Sequence, residues 1–149
     1  MITHAESRAS VADHPFALPA NLSPALARVH AYWRGLCRGR ANMPFADDLK
    51  LANLPDLTGQ LMLIEVFERP LRYRIERVGE SITSESLAGC FLEEVRPGPP
   101  LDFLASQCSA TVEGAAPTYF HGAAGGPHAR LLLPLWGEGQ IRLLLGAFD

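Results

Sequence analysis

Arg130-Leu131-Leu132-Leu133-Pro134-Leu135-Trp136 and Ile141-Arg142-Leu143-Leu144-Leu145-Gly146-Ala147-Phe148 are two nearly unbroken apolar runs, separated by Gly137-Glu138-Gly139. Short apolar runs punctuated by glycine read as the two strands of a hairpin. A strand with one wet face alternates apolar and polar residues, and these runs do not, so both faces of their sheet must be covered. The second face requires either a helix of the same chain or a second copy of the chain.

Working outward, residues 117–123 form a third strand-like run, joined to the first by a loop containing Gly125-Gly126-Pro127. Before it, apolar positions 101, 104, 108 and 112 recur at helical spacing, bounded by Pro97-Gly98-Pro99-Pro100 and Gly114. Residues 61–68 are branched and aromatic, and residues 71–76 alternate apolar with charged. Interrupted by Arg69-Pro70, the two are predicted to pair as an antiparallel hairpin. Gly79-Glu80-Ser81 is expected to end that strand and cap a short helix reaching residue 87 or 88. Residues 40–60, with Pro44, Pro55 and Gly59, read as a loop with one or two helical turns. Leu22, Leu26, Val29, Trp33 and Leu36 form an amphipathic stripe, opened by Ser23-Pro24 as cap and first helical residue. Residues 1–20 lack periodicity and read as a flexible arm, leaving residues 21–149 as one domain. Five short strands without long parallel crossovers predict an α+β fold with an antiparallel sheet. The two hairpins come from opposite ends of the chain, so the first and last strands can lie side by side.

Composition sets the class. The chain has 149 residues with 48% hydrophobic and 19% charged, which is one globular domain. Its formal charge of −3 argues against wrapping nucleic acid. No apolar run approaches the ~18 residues of a membrane span, and the first twenty residues hold no apolar stretch of a secretory signal. Cys37, Cys90 and Cys108 are odd in number and contain no C-x-x-C pair, which predicts free thiols in a reducing cytoplasm rather than disulfides or zinc.

Several short stretches together resemble a bacterial family of stand-alone PAS domains. Tyr32-Trp33-Arg34, Gly39-Arg40, Pro44 and Leu54-Pro55-Asp56-Leu57 are similar to its opening. Ile64-Glu65-Val66 and Arg72-Tyr73-Arg74 resemble its first hairpin, and Leu87-Ala88-Gly89 with Phe91 its central segment. Leu131-Leu132-Leu133-Pro134-Leu135 and Leu144-Leu145-Gly146-Ala147 resemble its last hairpin. The resemblance spans about residues 26–148. It departs at Ala46-Asp47-Asp48, where Arg-x-Asp is the family's pattern, and at Glu76-Arg77, which look inserted. It implies a PAS-like five-stranded antiparallel sheet in the order 2-1-5-4-3, with helices on one face and an N-terminal helix. The strand at 141–148 is then central and the one at 117–123 lies at an edge. The function it implies is that of a sensory or regulatory module in signal transduction, binding a small molecule, a signalling protein partner, or both. Ligand and cofactor identity are not implied, because a fold hosts many functions.

A ligand pocket is expected between the sheet and residues 79–114, lined by Tyr73, Ile75, Leu87, Phe91, Phe103, Leu104, Cys108, Tyr119, Leu132 and Trp136. Tyr73, Tyr119 and Arg74 are its polar groups, and the alternative is a solid core built from the same residues. The stripe Leu22, Leu26, Val29, Trp33 and Leu36 is expected to serve a homodimer interface, the alternative being a helix folded onto its own sheet. His121 and His128 flank one hairpin loop and read as exposed histidines rather than metal ligands. Cys108 on a helix stripe reads as a buried, inert thiol, and Cys37 beside Arg38 as the more reactive one. No Gly-x-Ser-x-Gly, His-Glu-x-x-His or Asn-Cys-Arg motif occurs. No catalytic residue is therefore expected. The competing function is a small α+β isomerase or hydratase of ketosteroid-isomerase type, with Glu65 or Glu76 as a single acidic base in an apolar cone.

Overall fold

The computed structural model describes residues 15–122 and 129–149. Helix α1 spans Pro24–Gly35, and strands β1 and β2 span Leu61–Phe67 and Arg72–Val78. Helix α2 spans Leu104–Gly114, and β3, β4 and β5 span Thr118–His121, Ala129–Gly137 and Gln140–Phe148. The sheet is antiparallel in the order β2-β1-β5-β4-β3. The expected α+β class and strand order are both found, with β5 central and β3 at an edge, a topology consistent with a PAS-like fold.

Alternation along the strands sorts the leucines into two clusters. Leu61, Leu63, Leu131, Leu133, Leu135, Leu145 and Ala147 point to an outer face, where they pack against Leu26, Val29 and Trp33 of α1 and against Leu54 and Leu57. Met62, Ile64, Val66, Leu132, Leu144 and Phe148 point to an inner face, with Leu104 and Cys108 of α2, Ile82 and Leu87. The second cover demanded by the apolar runs is therefore the chain's own N-terminal helix. That helix starts as predicted: Ser23 Oγ accepts from Leu26 N–H and Pro24 occupies the first turn.

Trp33 anchors α1 to the sheet. Its buried indole Nε1–H donates to Pro134 O at 2.8 Å. Pro134 sits in a strand buried on both faces, a place proline normally avoids. Ala129 directs both its N–H and its C=O to Asp149, beyond the end of β5. Pro134, an odd number of residues further on, therefore faces the opposite side, where β3 has already ended at the Thr118–Leu132 pair. The missing N–H costs no ladder bond, and the indole satisfies the carbonyl.

The local differences from the sequence reading have physical causes. No helix follows Gly79; the segment from Gly79 to Cys90 is turns and bends. Its backbone groups are spent on β2 and β1 instead, with Ile75 N–H donating to Cys90 O, Gly89 N–H to Ile75 O and Gly79 N–H to Leu61 O. Glu76-Arg77, which looked inserted, is a β-bulge: Ile64 opposes Ile75 and Leu63 opposes Arg77, leaving Glu76 without an opposite residue. Helix α2 begins at Leu104 rather than 101, because Phe103 adopts a left-handed conformation with φ 59°. Residues 40–60 carry three 3-10 turns rather than the one or two expected, Ala46–Asp48, Leu51–Asn53 and Thr58–Gln60. From Phe16 onward the expected arm is docked, since Phe16 is buried and its C=O accepts from Tyr119 N–H at the outer edge of β3. Residues 1–14 and His128 lie outside the described residues.

Candidate functional site

Six of the ten expected pocket residues meet on the inner face. Tyr73, Ile75, Leu87, Leu104, Cys108 and Leu132 are each at most 8% exposed and belong to one packed cluster. Surface clefts of 210–710 Å³ at five places on the described residues each take at most one of these six side chains. Tyr73 Oη and Ser109 Oγ are 2.9 Å apart, a hydrogen bond that ties β2 to α2. Burial pushes the Cys108 thiol far above its ordinary range, as expected of an inert cysteine. Burial also raises Cys37, against the lowering effect of Arg34.

The other four pocket residues lie elsewhere. Phe91 is half-buried under the Arg72 guanidinium, whose Cζ is 3.6 Å from the ring centroid. Phe103 is 65% exposed, turned outward by its left-handed backbone. Tyr119 opposes Leu131 and packs with the outer-face cluster. Trp136 lies beyond a register shift at Leu135/Trp136, half-exposed next to Phe45. Arg74, expected to serve the pocket, pairs with Glu65 instead, through Nε and Nη2 at 2.8 Å each.

That pairing also bears on the enzymatic alternative. Glu65 is held by a cation, and Glu76 is exposed on the bulge. Neither carboxylate stands in an apolar cavity. His121 is exposed. Among the described residues no group of three His, Cys, Asp or Glu side chains could hold a metal ion, and no helix is long and apolar enough to cross a membrane. Of the stripe assigned to a dimer, Leu26, Val29 and Trp33 are at most 4% exposed within one protomer. Pairing through these three side chains would need α1 to leave its sheet.

Sequence reasoning missed the most unusual group on the inner face. Arg130 is 1% exposed. Its Nε donates to Gln107 Oε1 at 2.6 Å, Nη1 to Pro100 O at 3.0 Å and Nη2 to Asp102 O at 2.8 Å. Its Cζ lies 4.7 Å from the Phe120 ring centroid. No carboxylate is within ion-pair distance of it among the described residues, and burial lowers its pKa from 12.5 to about 10. The Asp102 side chain is close by, but its buried Oδ1 has no hydrogen-bond partner. Gln107 extends the network to Thr118 Oγ1, which lies 2.6 Å from Thr111 Oγ1. The result is a latch in which a cation buried in the sheet grips two carbonyls of the proline-rich strap formed by residues 97–103. The strap leads into α2, which closes the inner face. A signal was present in the sequence, because strand alternation puts position 130 on the same face as Leu132, and Gln107 sits on the helical stripe with 104, 108 and 111.

Compared with family models, with curated proteins and with solved structures, the chain matches none.

Proposed function

We propose that this chain is a non-catalytic sensory or regulatory module, whose inner face and strap respond to a small molecule or a signalling protein. The observation that supports this most is the Arg130 latch. A desolvated cation held by neutral oxygens is costly. Among the described residues the strap makes no backbone hydrogen bond to the sheet, its other contacts being Leu101 on the inner cluster and Phe103 against Phe120, so the strap can be released by a modest competing interaction. The PAS-like topology, and the placement of Glu65 on Arg74 and of Glu76 in solvent rather than in an apolar cavity, point the same way. Three free thiols suit a cytoplasmic setting. If the module is a homodimer, its contact uses surfaces other than the buried side of α1.

Native mass spectrometry and an absorption spectrum of the protein as purified test the small-molecule arm. A stoichiometric bound species whose loss speeds amide exchange in residues 97–104 is expected. The proposal is overturned by a turnover activity that Glu65→Gln or Glu76→Gln abolishes.

A further inference from the structure

Two clefts meet at Ala41 and Asn42. The smaller, 270 Å³, is completed by Met43, Phe45 and Trp136. Phe45 is 42% exposed and Trp136 38%, large apolar surface left open to solvent in one place. The larger, 710 Å³, includes His30, Arg34 and Cys37 of α1 and its C-terminal extension. Among the described residues no carboxylate lines either cleft, although the chain's formal charge is −3. The cations near them are available: among the described residues Arg34 and Arg40 make no ion pair. Arg38 pairs with Asp48 and still lies 5.3 Å from the Phe45 ring centroid. Contiguous exposed aromatics beside unpaired arginines are the composition of a protein-binding surface.

The backbone here restricts how a partner could bind. Trp136 N–H already donates to Pro44 O, and Pro134 O already accepts from Trp33. The part of β4 that β3 leaves open therefore offers neither group to an added strand, and docking has to go through side chains. We propose that this groove docks an acidic segment of a partner protein, with one aromatic or aliphatic residue seated between Phe45 and Trp136 and its carboxylates on Arg34 and Arg40. The assignment rests on reading the chain as a regulatory module that acts through another protein.

The test selects a displayed library of random sixteen-residue peptides against the full chain. Enriched peptides are expected to be acidic with an apolar anchor. Trp136→Ser and Arg34→Glu should each weaken their binding at least about tenfold, and raising salt from about 0.05 to 0.5 M should weaken it too. Both substituted residues are exposed, and unchanged melting of each variant confirms that it folds. Absence of enrichment, enrichment without acidic bias, or binding that survives both substitutions overturns the proposal. So does concentration-dependent self-association that Trp136→Ser abolishes, which would make the groove an interface between two copies. Neither residue touches Arg130, so failure here is distinguishable from failure of the sensory reading, which is read from the strap.

Discussion

Replacing Arg130 with methionine keeps an unbranched apolar stem and removes the guanidinium. Gln107 Oε1, Pro100 O and Asp102 O each lose a donor. At ~1.5 kcal/mol for a hydrogen bond to a charged group, the three losses amount to about 4–5 kcal/mol. Burial of the cation works in the opposite direction. A depression from 12.5 to about 10 corresponds to roughly 3 kcal/mol, which the variant recovers at neutral pH. The net loss is therefore about 1–2 kcal/mol, or roughly 5 °C in Tm for a domain of this size. The loss should be local. Leu101 N–H, bonded to Gly98 O, and Leu104 N–H, bonded to Leu101 O, should exchange at least about tenfold faster, while the amides of β5 change only with the global stability. Urea denaturation and amide exchange by mass spectrometry or NMR measure both. A loss above ~4 kcal/mol would show that the guanidinium supports the whole core, and unchanged exchange in the strap would refute the latch.

Trp33→Phe keeps the ring against the outer face but leaves Pro134 O without its donor, and should cost ~1–3 kcal/mol by urea denaturation. Gly79→Ala drives a Cβ into Gly59 O and to 2.7 Å from Thr58 O; overpacking of this kind costs ~1–3 kcal/mol, whereas Gly114→Ala, which meets open space, should melt no lower than wild type. A small aromatic disulfide reagent should modify Cys37 and Cys90 in the folded protein and Cys108 only after unfolding, as burial and the raised thiol require. Burial, reinforced by Arg34, lowers His30 below 6.5, so the unfolded chain binds the proton first as pH falls. Stability should then decline from about pH 6.5 downward through the folded value, and His30→Asn should flatten that part of the Tm profile.

Much of the fold was legible because it depends on period and punctuation. The charged alternation of 71–76 gave β2, and Glu138-Gly139, both at positive φ, form the two-residue turn that Gly137-Glu138-Gly139 announced. The runs at 130–136 and 141–148 required two covers, and two covers are present. The segment after Gly79 was not legible. Whether Ser81 to Leu87 forms a helix depends on whether its neighbours already need its backbone, and the partners Ile75 and Leu61 are set by sheet pairing, which local sequence does not encode. The start of α2 failed for a related reason, since the strap carbonyls before it bond a side chain from a strand nearly thirty residues away.

The site was less legible than the fold because the expectation selected residues by type and not by strand parity. Tyr119 and Leu132 are both large residues of neighbouring strands, yet β3 pairs Tyr119 with Leu131, which sends it to the outer face. Trp136 shares parity with Leu132, but the register shift beside it carries it to the rim of the sheet. Applied to every position, parity would also have exposed Arg130 as a charge on an apolar face. A charge in that position must either leave the face, find a counter-ion or take several neutral oxygens. The third solution requires carbonyls that are free of regular structure. Pro100 supplies one and Asp102, just beyond the Pro97-Gly98-Pro99-Pro100 stretch, the other, because prolines cannot continue a helix or a ladder. The prolines and the arginine are thus two halves of one arrangement: the strap stays irregular enough to offer its carbonyls, and the cation is the group that needs them.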